Sequence, residues 1–118
     1  MTPNTIESLL DNIKENLDVD EVTLISRSGM HIGGDVPENA HLETFVAMSA
    51  ILLGSAETAT SELKEELSHV IVELKESRVL VMNDGPQALL AIKMPKSSDI
   101  EKVLKGLEEP IEKLKDLL

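Results

Sequence analysis

The feature that most constrains this chain is a single helical stretch, roughly His41 to Leu67, that is apolar around more than one stripe. Phe45, Met48, Leu52, Ala56, Ala59, Leu63 and Leu67 form one seam at alternating spacings of three and four. Val46, Ala47, Ala50, Ile51, Leu53 and Gly54 fill much of the remaining circumference of its first half. A helix apolar most of the way round must be covered on most sides. At 1.5 Å per residue it would be about 40 Å long. A compact domain of this size is only about 35 Å across. The ordinary alternative is a central helix packed between sheet and loops. The reading preferred here is self-association, with the second face packed on its twin across a two-fold axis. Small residues at Ala47, Ala50, Gly54, Ser55 and Ala59 would let another backbone approach closely.

A first helix is expected after Thr2-Pro3-Asn4, where Asn4-x-x-Glu7 resembles a capping box. Ile6, Leu9, Leu10, Ile13 and Leu17 then recur at helical spacing. Val22 to Arg27 reads as a strand, Ser28-Gly29 as a turn, and Met30 to Ile32 as a short strand ended by Gly33-Gly34-Asp35. Pro37 and Glu38-Asn39 lead into the long helix. Three more strands follow, His69 to Lys75, Arg78 to Asn83 and Gln87 to Met94, joined by hairpin-length connections at Glu76-Ser77 and Asp84-Gly85-Pro86. The last helix opens at Ser98-Asp99-Ile100-Glu101, and Pro110 is expected to kink or split it.

These strands are apolar on both faces. Val70, Val72 and Leu74 oppose Ile71; Val79 and Val81 oppose Leu80 and Met82; Ala88, Leu90 and Ile92 oppose Leu89 and Ala91. A sheet solvated on one side would alternate more cleanly, so helices are expected on both faces, one on one side and two on the other. A strand such as His69 to Leu74 would be hazardous as an open edge, and pairing with a second copy would remove the hazard.

With 118 residues the chain is read as one domain, residues 1–118. The core material is 18 Leu, 9 Ile and 9 Val against a single aromatic residue, Phe45. Net charge is −11, with no basic patch, which argues against nucleic acid and against anionic membranes. There is no cysteine, which removes thiolate chemistry, disulfides and thiolate metal sites. No secretory signal is read at the N-terminus, and the unbroken apolar runs Ala50 to Leu53 and Ala88 to Ile92 are too short to span a bilayer. A soluble, cytoplasmic protein is expected.

Catalytic signals are weak. His41-x-Glu43 lacks the Pro-Cys-x-x-Cys partner of zinc deaminases. His31, His41 and His69 are scattered over different elements, so no metal is expected. Gly33-Gly34 lacks the context of a phosphate-binding loop and reads as a strand terminator. The carboxylates lie at the spacings of solvated helix faces. No catalytic residue and no cofactor are assigned, and the chain is not expected to be an enzyme. Arg27 and Arg78 are the only arginines.

The run Val22-Thr23-Leu24-Ile25-Ser26-Arg27-Ser28-Gly29-Met30-His31-Ile32 resembles the strand–turn–strand hallmark of the Roadblock/dynein light chain family. The small-residue helix Phe45 to Thr60, and Val79-Leu80-Val81 followed by Ala88-Leu89-Leu90-Ala91-Ile92, resemble that family's central helix and hairpin. The resemblance covers essentially the whole chain. It implies an α/β (α+β) fold in the order α-β-β-α-β-β-β-α, with a five-stranded antiparallel sheet, one long helix on one face and two terminal helices on the other. It also implies dimers in which central helices and third strands meet. The dimer surface carried over is Phe45, Met48, Leu52, Ala56, His69, Val70, Ile71 and Val72. The family's partners include small Ras-like GTPases, so the resemblance implies a homodimeric regulator or scaffold of such a GTPase. It would act by docking on the switch segments, with Arg27 and Arg78 as candidate GTPase contacts. A passive scaffold without effect on hydrolysis, and a small-ligand sensor, are the alternatives.

Overall fold

The computed structural model describes residues 5–37 and 40–118. Helix α1 (Ile6–Asn16) is followed by β1 (Glu21–Ser26), β2 (His31–Gly34), α2 (Leu42–Ser61), β3 (Val70–Glu73), β4 (Ser77–Asp84), β5 (Ala88–Pro95) and α3 (Ile100–Leu117). One antiparallel sheet runs in the order β2-β1-β5-β4-β3, so β2 and β3 are its edges.

The doubly apolar strands do what their pattern asks. Leu24, Leu80, Leu90 and Ile92 pack towards α1 and α3, with Leu10, Ile13, Leu107 and Leu114. Ile25, Val81, Leu89 and Ala91 pack on the other side, with Val46 and Leu53 of α2. Two helices thus cover one face and one helix the other.

Cap chemistry differs in detail from the sequence reading. Thr2-Pro3-Asn4 and Glu38-Asn39 lie outside the described residues. Thr5 caps α1, its hydroxyl accepting from the Ser8 amide at 3.1 Å. Glu7 reaches across to β2 and accepts from the Gly34 amide at 2.9 Å. At α3 the cap is Asp99, which accepts from the Glu101 and Lys102 amides. Ser98 donates instead to the Asp18 carbonyl at 2.6 Å. Pro110 does not split α3, which runs on to Leu117.

Gly33 and Gly34 are not a terminator; they pair with Leu24 and Thr23 as the second half of β2. At Gly34 φ is +81°, and a Cβ would stand 2.2 Å from the Val22 carbonyl oxygen, so this position requires glycine. Beyond it, Asp35 accepts from the Val22 amide at 2.8 Å and from Lys14 at 3.0 Å, tying β1, β2 and α1 together. That contact holds the Lys14 ammonium above its ordinary pKa.

The largest correction concerns α2. It has 20 residues rather than the 27 of the sequence reading, about 30 Å of helix. The molecule's extents are 45 × 32 × 29 Å, so the helix fits its own domain and excess length is no argument for a partner. The seam through Leu63 and Leu67 is helical in spacing only. Lys64 adopts a left-handed conformation, φ 59°. The last turn holds no basic residue, and its C-cap is Glu62, the wrong charge for the helix dipole.

Candidate functional site

Helix α2 carries little of a conventional amphipathic pattern, and only Val46, Ser49 and Leu53 are buried. Its outward residues are apolar too: Met48 is 52% exposed, Ile51 56% and Leu52 39%. By length and composition alone α2 is apolar enough to cross a membrane, a test that the core helix of a folded domain also passes. In the fold it lies along the sheet instead.

Beside α2 the sheet ends at β3, four residues long, whose outer edge has no neighbouring strand among the described residues. Between helix and edge runs an open groove of about 610 Å³. Phe45, Met48, Ile51 and Leu52 form its helix wall, and Val72 and Val79 its sheet wall. The groove is continuous with the exposed face of α2, so the helix and the sheet edge form one apolar surface.

Of the eight residues assigned to a dimer surface from the sequence, Phe45, Met48, Leu52 and Val72 line this groove together. The other four do not line it. Ala56 is half-buried one turn further along α2. Val70 packs under α2, whereas Ile71 points through the sheet to the α1–α3 side. His69 precedes β3, its Nδ1 hydrogen-bonded with the Ser68 hydroxyl at 2.8 Å. Ile51, Leu74 and Val79 belong to the groove and escaped the assignment. Ile51 falls one helical turn from Met48 and could have been found from that spacing; Leu74 lies just beyond the strand that brings it there.

The two arginines, candidate GTPase contacts by resemblance, are both partly buried and paired within the fold. Arg27 donates to Glu57 of α2 and to the Asn83 side chain of β4, and Asn83 donates to the second Glu57 oxygen at 2.7 Å. These bonds hold the Glu57 carboxyl below its ordinary pKa, the Arg27 contact contributing most. Arg78 pairs with Glu73 at 3.0 Å across the β3–β4 hairpin and reaches the Ser98 carbonyl. Both guanidinium groups are therefore committed within the fold, 51 positions apart in the chain.

His31, His41 and His69 stay apart, and among the described residues no cluster of three or more metal-ligand types occurs. What the site offers is apolar area beside a strand edge unpaired among the described residues.

A family model described as the Roadblock/LC7 domain matches residues 5–94. The chain belongs to the Roadblock/LC7 family. Helix α3, beyond the matched residues, completes the cover of the α1 face of this Roadblock/LC7 domain. Among solved structures the fold is similar to Myxococcus xanthus MglB, with TM-score 0.86 and 13% identity over 95% of this chain and 93% of that one. It is also similar to a Roadblock/LC7 domain from Streptomyces avermitilis, with TM-score 0.82 and 14% identity over 92% and 93%. A third is an MglB described with a tetrameric arrangement, with TM-score 0.81 and 18% identity over 92% and 84%. At these identities the likeness is one of fold. A comparison with curated protein sequences finds no match.

Proposed function

We propose that this Roadblock/LC7 domain is a homodimeric, non-enzymatic binding protein of the cytoplasm that regulates or scaffolds a small Ras-like GTPase. The observation that carries the self-association is the apolar surface built by Met48, Ile51 and Leu52 beside the open edge of β3. A second copy, related by a two-fold axis, would lay its own α2 on this one and extend the sheet through β3. That removes both the exposed apolar area and the aggregation-prone edge. The tetrameric arrangement named for one structural relative is in keeping with a fold that assembles with itself. A site without paired acid and base, metal cluster or nucleophile favours binding over catalysis.

Regulation would work by docking, with the GTPase held in one of its switch conformations. The Arg27–Glu57–Asn83 triangle supports docking over an arginine finger, since Arg27 would have to abandon two partners to reach a nucleotide. Arg78 would have to leave Glu73.

The test is capture from native lysate with the tagged protein, in parallel with GDP and with a non-hydrolysable GTP analogue. A small GTPase retained mainly with one nucleotide is the expected result. Its hydrolysis rate is then measured with wild type, Arg27→Ala and Arg78→Ala. Docking predicts at most a few-fold change, whereas loss of stimulation by orders of magnitude would establish a finger. Retention of larger proteins regardless of nucleotide would instead favour the passive scaffold.

A further inference from the structure

At the far end of the sheet from the groove's open edge, the β4–β5 hairpin closes on a pairing of Asp84 with Ala88. Strand alternation sends Asn83 to the α2 side and Asp84 to the α3 side. Asp84 is fully buried, and among the described residues neither of its carboxylate oxygens has a hydrogen-bond partner. An aspartate entering a turn usually accepts from the amide two residues on. Here that residue is Pro86, which has no N–H.

The carboxyl faces a cavity of about 140 Å³ lined by Gly85, Gln87, Lys115 and Leu118. Lys115 lies in the last turn of α3, and its stem passes over the hairpin close to Gly85, where a Cβ would be 3.3 Å from Lys115 Cγ. Its ammonium nevertheless sits on Glu112, one turn back, at 3.2 Å. The side chain is pinned by its stem beside an unpartnered acid while its charge is engaged elsewhere. Lys115 and Glu112 are the charged groups of α3 that act on Asp84. Arg27, Glu57 and Glu66 line the adjoining cavity with Lys115, and Arg27 and Glu57 are already paired.

We propose that Asp84, Lys115 and Glu112 form a proton-controlled latch between the β4–β5 hairpin and the last turns of α3. With Asp84 neutral, Lys115 stays on Glu112, the arrangement described above. With Asp84 ionised, Lys115 turns into the cavity and ties α3 to the hairpin, leaving Glu112 to solvent. Burial pushes the Asp84 carboxyl up to about 7, with Lys115 pulling it down and Glu112 pushing it up, which puts the change near neutral pH.

The experiment is a carboxyl-carbon and Lys Nζ NMR titration from pH 4 to 9 on the whole chain, with amide exchange of residues 113–117 measured alongside. Asp84 is expected to titrate near 7, with Lys115 Nζ and Glu112 shifting at the same midpoint and the protection of these amides, taken relative to the intrinsic exchange rate at each pH, rising above it. Lys115→Gln should raise the Asp84 midpoint and abolish the coupled Glu112 shift. Asp84→Asn, which mimics the neutral acid, should remove the pH dependence of that protection. An Asp84 midpoint in the ordinary carboxylate range overturns the latch. So does a raised midpoint to which Lys115 and Glu112 do not respond. The wild-type titration needs no variant to fold, and the three histidines are separated by their own resonances.

Discussion

Asn83 on β4 donates a hydrogen bond to Glu57 on α2 at 2.7 Å, and the same carboxylate receives Arg27 on its other oxygen. This triangle is the polar fastening of α2 to the sheet at the end where apolar contact gives out. Glu57→Ala takes one of two acceptors from the partly buried Arg27 guanidinium, which keeps Asn83, and leaves the Asn83 amide nitrogen without its acceptor. The expected cost is roughly 1–2 kcal/mol, read as a lower denaturant midpoint at unchanged m-value.

The same contact has an acid signature. The Glu57 carboxyl is held below its ordinary value, so the stability it contributes is present at neutral pH and is lost as pH falls through the folded-state value. Melting temperature should therefore drop below about pH 4.5, and Glu57→Gln should flatten part of that drop. An unchanged acid limb in Glu57→Gln would show that the charge of Glu57 does not stabilise the fold.

Asp84 has the opposite sign. Its carboxyl is raised by burial to about 7, so between its ordinary value and 7 the folded chain holds a proton that the unfolded chain has released. Stability contributed by that proton is lost as pH rises through this window. Asp84→Asn should match wild type at pH 4 and exceed it at pH 8 by roughly 2 kcal/mol or more, measured by chemical denaturation at both values.

Gly34 is the backbone position with least latitude. A Cβ there meets the Val22 carbonyl at 2.2 Å and a φ of +81°. Gly34→Ala is expected to cost about 2 kcal/mol or more. Gly54, whose Cβ would meet nothing within 4 Å, is the control. Measured in the Ile51→Glu background, where the proposed α2 contact between copies is removed, Gly54→Ala should be stabilising by up to ~1 kcal/mol in the middle of a helix.

Much of this was legible from residues. The element order, the helices on both faces and the side on which each residue of β3, β4 and β5 packs follow from period-2 alternation that is apolar twice over. The end of α2 was not legible, because Leu63 and Leu67 keep helical spacing while Lys64 breaks the helix by its backbone. Neither was the role of Gly33-Gly34, since glycines that end a strand and glycines that pair within one look alike in sequence. In the site, Phe45, Met48, Leu52 and Val72 were named through the family resemblance, and the fold gathers them along one groove; which way each faces was not legible from the residues. The Arg27 triangle joins residues 27, 57 and 83, a proximity that only the folded sheet creates.

Sedimentation velocity at micromolar concentration decides whether a second copy covers the face of Met48, Ile51 and Leu52. Detection must be by interference, because the chain has no Trp and no Tyr. The expected species has twice the 12.9 kDa chain mass or a multiple of it, and Ile51→Glu converts it to monomer with far-ultraviolet circular dichroism unchanged. A wild-type protein that sediments as a monomer, or an Ile51→Glu variant that keeps the wild-type assembly, would contradict the proposed dimer.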